Sequence, residues 1–259
     1  MPAIAGPAVP AIPFPVPATD EAAPAPIIAA TATTSPRPTP SRPMVAIIID
    51  DMGYNLQLGL QFLQANSRLS FSFLPHAPHA RELAQQAHAS GHDILVHLPM
   101  EPKEKKWLFE PETLLSTDTP EQIRRKVEDM LAAIPDAAGS NNHMGSLFSE
   151  NAQNMRIVIE TLKARGLYFV DSVTTPGSQG LAVAQQLHLP SARRQLFLDN
   201  ERETGAICRQ LYQLAALAQH QGQAIGIGHP HQAMLAALDQ CGDAAMQSVE
   251  LVGVSGLMH

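Results

Sequence analysis

Two adjacent carboxylates, Asp50 and Asp51, end the β-branched run Val45-Ala-Ile-Ile-Ile49 and precede Met52-Gly53. An apolar run of this kind reads as a buried strand, which delivers both acids to its C-terminal mouth. Adjacent residues at a strand end point in different directions. One carboxylate can therefore bind a metal while the other works as a base on water. The same four residues also suit a plain turn, with an Asp capping the next helix.

Polar, titratable residues follow apolar runs at four further places. His97 ends the run that begins at His92; a neutral imidazole there is a natural zinc ligand, and Glu101 lies four residues on, past Pro99. The alternative is a satisfied core histidine. The segment Asn141-Asn142-His143-Met144-Gly145-Ser146 is small and polar. Asn141, Asn142 and Ser146 suit hydrogen bonding to a sugar or an oxyanion, and His143 is a further ligand candidate. This stretch also reads as a polar loop capping the helix after it. Asp171 closes the run Leu167 to Val170. His229 sits in Gly226-Ile-Gly228-His229-Pro230, where glycines permit close backbone approach, and it suits a general acid. His231 is expected to face solvent. One such placement is weak evidence, but five along one chain form a constellation.

The elements that must position these groups alternate between strand and helix. Strands are expected at 45–49, 69–74, 92–98, 167–170, 195–198, 224–228 and near 249–252. Helices are expected from Asn55 to about Ala65 and over 80–90, 152–165, 179–187, 205–221 and about 230–240. Another starts at Thr119-Pro-Glu-Gln122, where Thr119 can cap, Pro120 fits the first turn and Gln122 completes a capping box. Alternation of this kind argues for a mostly parallel sheet closed, or nearly closed, into a (β/α) barrel. Reactive groups in such barrels sit at the C-terminal ends of the strands.

Composition narrows the function classes. At 259 residues, 45% hydrophobic and 16% charged, the chain can bury a sizeable core. A formal charge of -7 with no basic stripe excludes a nucleic-acid binder. Cys208 and Cys241 cannot make a thiolate metal site, though they allow one disulfide if the chain is exported. No apolar run approaches the length that spans a bilayer, and Ala3 to Val16 lacks the basic start of a secretory signal. Residues 1–43 hold 12 of the 22 prolines and read as an extended, mobile Pro/Ala-rich linker ahead of a folded domain over 44–259.

Taken in order, these motifs resemble the polysaccharide deacetylase family, carbohydrate esterase family 4, and most closely its divergent branch. The similarity spans about Met44 to Val252. Ile48-Ile-Asp50-Asp51-Met-Gly53 is similar to the family's first motif, which implies Asp50 as base and Asp51 as metal ligand. Gly91-His92-Asp93-Ile94 through His97 resembles the segment leading to a pair of metal-binding histidines, with Glu101 at the second position. Asn141-Asn-His-Met-Gly145 replaces the third motif and lacks its Arg, so His143 can supply the remaining ligand. Phe169-Val-Asp171-Ser172 and Ile227-Gly-His229 resemble the fourth and fifth motifs, with His229 protonating the leaving group and Asp171 orienting it.

The resemblance implies a distorted barrel of the polysaccharide deacetylase type, a divalent metal, zinc by its ligand types, and an N-acetylated glycan of the periplasm or cell envelope as substrate. A glycan-binding or scaffold domain on the same fold, and a hydrolase acting on a non-sugar amide, are the alternatives.

Overall fold

The computed structural model describes residues 42–65, 68–108 and 110–258. The linker expected over residues 1–43 lies outside them except for its last two positions. The elements are β1 Met44–Met52, α1 Leu56–Leu63, β2 Ser70–Phe73, α2 Ala80–Ala89, β3 Asp93–Met100, α3 Pro120–Ala133, β4 Gly139–Met144, α4 Ala152–Ala164, β5 Tyr168–Asp171 and α5 Gly180–Gln186. They continue as β6 Ser191–Arg193, β7 Leu196–Phe197, α6 Thr204–Gln221, β8 Gln223–Gly228, α7 Gln232–Ala237, α8 Asp243–Met246 and β9 Glu250–Leu251. Strand order is β6-β5-β4-β3-β2-β1-β8-β7, with β9 on the start of β1, and every pairing is parallel.

The two edge strands, β6 and β7, are neighbours in sequence, separated only by Arg194 and Gln195. Extended chain spans at most about 3.6 Å per residue, so the sheet must curl until its edges nearly meet. The two linking residues stitch that seam. Arg194 N–H donates to Asp171 O of β5 at 2.9 Å, and Gln195 N–H donates to Ile225 O of β8 at 2.9 Å. The result is the nearly closed (β/α) barrel that the alternation of elements predicts, distorted as the family resemblance implies.

Strand alternation sorts side chains into two cores. Val45, Ile47 and Ile49 of β1 pack outward with the helices, together with Ile94, Val96 and Phe169. Ala46, Ile48, Leu95, Val170, Ile225 and Ile227 fill the lumen. Continuing the lumen parity up each strand leads from Ile48 to Asp50, from Leu95 to His97 and from Ile227 to His229.

Two stretches depart from the sequence reading. β3 does not end at 98 as expected but runs on through Pro99 to Met100. β2 ends opposite Val96, so no strand on that flank needs an N–H from Pro99; Leu114 instead donates to its carbonyl at 2.9 Å. The Asn141 segment belongs to β4 rather than to a loop. Ser140, Asn141 and Asn142 are fully or almost fully buried, and for the two asparagines side-chain hydrogen bonds do what apolar packing does in the other strands. The capping box at α3 forms as the sequence predicts, with Thr119 and Gln122 bonded reciprocally. Cys208 of α6 and Cys241, in the turn after α7, form a disulfide with Cα atoms 5.9 Å apart.

Candidate metal centre

Asp51 sits at the end of β1 with φ of 54°, in the left-handed region that few non-glycine residues adopt. The β1–β2 register shifts between Ile49 and Met52. In a regular strand Asp50 and Asp51 would face opposite sides. The kink turns Asp51 back, so both carboxylates reach one imidazole. His97 Nε2 lies 3.5 Å from Asp50 Oδ2 and 3.2 Å from Asp51 Oδ1. Gly53, with φ of 122°, completes the turn where a side chain would strike Ala77.

His143, near the end of β4, brings Nδ1 to 2.8 Å from the same Asp51 oxygen. Asp51, His97 and His143 each offer a ligand atom, all within 4.8 Å of one another. Asp51 Oδ1 is buried, and His97 Nε2 and His143 Nδ1 are both turned toward it. A cation held by those two imidazole nitrogens and the carboxylate would satisfy all three atoms. Such a nitrogen and oxygen donor set suits zinc.

Asp50 is buried at the lumen's top and its Oδ1 accepts Asn141 Nδ2–H at 2.8 Å. Burial raises its carboxyl above the usual range, and the opposing pulls of His97, His229 and Asn141 do not offset that rise. Burial also pushes Asp51 upward, but the His143 and His97 imidazoles outweigh it and hold Asp51 well below the usual range. Two neighbouring acids thus diverge in basicity. The His97 ring is pushed down by burial and lifted further by Asp50 and Asp51, ending above its ordinary value.

His229 follows β8 and points Nε2 toward the cluster, 3.9 Å from Asp51 Oδ2. Its Nδ1 lies 3.1 Å from Asp199 Oδ1, and its backbone N–H donates to Asp199 Oδ2 at 2.7 Å. Burial lowers the His229 ring, yet Asp199, Asp51 and Asp50 together raise it to about 9. Burial likewise raises Asp199 while His229 and His231 bring it below its ordinary value. A cavity of about 220 Å³ opens beside these groups, lined by Asp51, Tyr54, Arg202, His229 and His231 among others.

Of the residues singled out from sequence, the structure gathers Asp50, Asp51, His97, His143 and His229 at one rim. Several others have different duties. Asp171 does not orient His229. It shares the outward parity of Phe169, and its Oδ2 accepts from Ser178 Oγ at 2.8 Å and Leu181 N–H at 3.0 Å, tying down the start of α5. Glu101 is not gathered with the metal cluster; its Oε2 accepts the backbone N–H of Ser116 at 2.7 Å and also the Ser116 hydroxyl.

Asn141 and Asn142 are not open to a substrate. Asn141 is fully buried within the site, and Asn142 bridges Met144 O and the Ser172 N–H at 2.8 and 2.9 Å. Ser146 Oγ accepts from Lys103 N–H at 3.0 Å. His231, expected in solvent, is turned inward: Nε2 lies 3.0 Å from Asp199 Oδ2 and Nδ1 caps α7 by accepting Met234 N–H. Sequence reasoning missed Asp199 as a site residue. The signal was available, because Phe197-Leu198-Asp199 is another apolar run ending in a carboxylate.

The family model described as divergent polysaccharide deacetylase matches residues 47–258. The uncharacterized protein YibQ of Escherichia coli (strain K12) is 38% identical over 215 residues, covering 83% of this chain and 67% of that one. Among solved structures, an uncharacterized protein from Agrobacterium tumefaciens C58 superposes with a TM-score of 0.79 at 25% identity, covering 84% of this chain and 89% of that one. The chitin deacetylase of the fungal pathogen Colletotrichum lindemuthianum shares the fold at a TM-score of 0.52 and 12% identity, covering 83% and 87%.

Proposed function

The chain belongs to the divergent polysaccharide deacetylase family, and from that membership we propose that it is a metal-dependent hydrolase removing acetyl groups from an N-acetylated glycan of the cell envelope. The observation that carries this reading is the convergence of His97 Nε2 and His143 Nδ1 on one buried Asp51 oxygen, with a second carboxylate alongside. In this scheme Asp51, His97 and His143 hold a divalent ion, zinc by donor type. Held there, such an ion supplies Lewis acidity toward the acetyl carbonyl and the attacking water.

Asp50 is the base. It is set apart from Asp51 by its higher proton affinity, as a group that must collect a proton near neutral pH requires. It takes the proton of the water whose oxygen adds to the acetyl carbon. His229 carries the proton for the leaving nitrogen, since with a pKa of about 9 its ring is charged at neutral pH. Asp199 engages Nδ1 and leaves Nε2–H facing the reaction. Cleavage of the amide C–N bond then yields acetate and a free amine.

The envelope location rests on two supports. The Cys208–Cys241 disulfide fits an oxidising compartment, and residues 1–43 have a tether's composition. Among the described residues no helix is long and apolar enough to cross a membrane. The test is turnover of an acetylated chito-oligosaccharide by the zinc-loaded protein and by Asp50→Asn. The wild type should release acetate, and the variant should lose activity by about 10²-fold or more while still binding the glycan. A wild type that binds the glycan and releases no acetate would make the domain a binding module.

A further inference from the structure

Asn141 and His97 are register partners across β4 and β3, and the Asn141 amide joins His97 to Asp50. A carboxylate can only accept, so the group 2.8 Å from Asp50 Oδ1 is the amide NH₂. That orientation leaves Asn141 Oδ1 facing Ser72 Oγ and His97 Nδ1, the latter at 2.8 Å, and both must be donors. The neutral His97 ring therefore carries its proton on Nδ1. Its Nε2 lone pair is left facing Asp50 Oδ2 and Asp51 Oδ1, an arrangement that repels unless positive charge stands between them. Asn141 is wholly buried, and Ser172 Oγ lies 3.3 Å from its Nδ2, so it has little freedom to turn over.

We propose that Asn141 is a positioning residue that selects the ligating tautomer of His97 and, with the same amide, holds the Asp50 carboxylate. The Asp50 half rests on the hydrolase reading, but the His97 half stands without it. Ring-nitrogen partners of this kind fix which atom binds metal, and their loss typically costs about 10- to 100-fold in metal affinity.

The experiment has three arms on the full chain. In ¹⁵N ring spectra of the metal-free wild type, at a pH that leaves His97 neutral, the proton should sit on Nδ1. A proton on Nε2 overturns the proposal, whatever the variants do. Asn141→Leu, which removes both bonds, should weaken zinc binding by about 10- to 100-fold in a chelator competition; wild-type affinity in a folded Asn141→Leu would also overturn it. Asn141→Asp keeps an acceptor for Nδ1–H but no donor for Asp50. It should hold zinc within a few-fold of wild type, and loss of zinc binding together with the Nδ1 proton would count against the proposal. If the wild type proves to have no turnover, the hydrolase reading fails, while the ring spectra and zinc affinities still decide the role of Asn141.

Discussion

Asp199 holds His229 at two points, accepting its backbone N–H at 2.7 Å and facing its ring Nδ1 at 3.1 Å. The double contact fixes both the position of β8's end and the ring's orientation. One carboxylate thereby sets which nitrogen of His229 turns toward Asp51. The same carboxylate also meets His231, so it is pinned from two sides.

A pH dependence follows from that contact. The folded pKa of His229, about 9, lies above its ordinary value of about 6.5. Its contribution to stability is thus fully present below about pH 6.5 and is lost as pH rises through about 9. In the metal-free protein, Asp199→Asn should lower the melting temperature most at acidic pH, with the gap from wild type narrowing toward pH 9.5. A gap independent of pH would rule out the raised His229. In turnover assays Asp199→Asn should cut kcat by about 10²-fold or more. Asp171→Asn should weaken α5 and cost about 1–3 kcal/mol of stability without altering the pH profile.

Zinc binding should be visible as stability. A ligand at about 100 times its Kd adds about 2.7 kcal/mol, which for a domain of this size is roughly 5–10 °C in melting temperature. Differential scanning calorimetry with zinc, and again after EDTA, measures it directly. His143→Ala should abolish the shift, whereas Glu101→Gln should retain it, since Glu101 is engaged by Ser116. The opposite pattern would transfer the third ligand to Glu101.

The disulfide closes a loop with a sequence separation of 33. In the chain-entropy description such a closure is worth about 3–4 kcal/mol, so Cys208→Ala combined with Cys241→Ala should lower the melting temperature by roughly 10 °C. Equal midpoints for the double variant and the oxidised wild type would mean that α6 and the segment after α7 are held by packing alone.

Much of the architecture was legible without coordinates, because it rests on local periodicity. The run 45–49 had to be a buried strand, Thr119-Pro-Glu-Gln122 had to open a helix, and alternation of the two elements required parallel pairing. Strand ends could therefore be located, and with them Asp50, Asp51, His97, Asp171 and His229. β4 escaped that reading because the side chains it buries at Ser140, Asn141 and Asn142 are a hydroxyl and two amides, which carry no hydrophobic signal.

Only the folded barrel decided which strand ends belong to the same site. Residues at strand ends divide between lumen and helix layer by a parity that depends on where each strand joins the sheet. On that parity Asp171 falls outside and Asp199 is turned in. A left-handed residue and a register shift at the end of β1 then override the parity for Asp51 alone. Side-chain pairings such as Asn141 with both Asp50 and His97 join residues up to 91 positions apart. Contacts over that separation follow from how the sheet closes, whereas residue type and local spacing already named the groups available to make them.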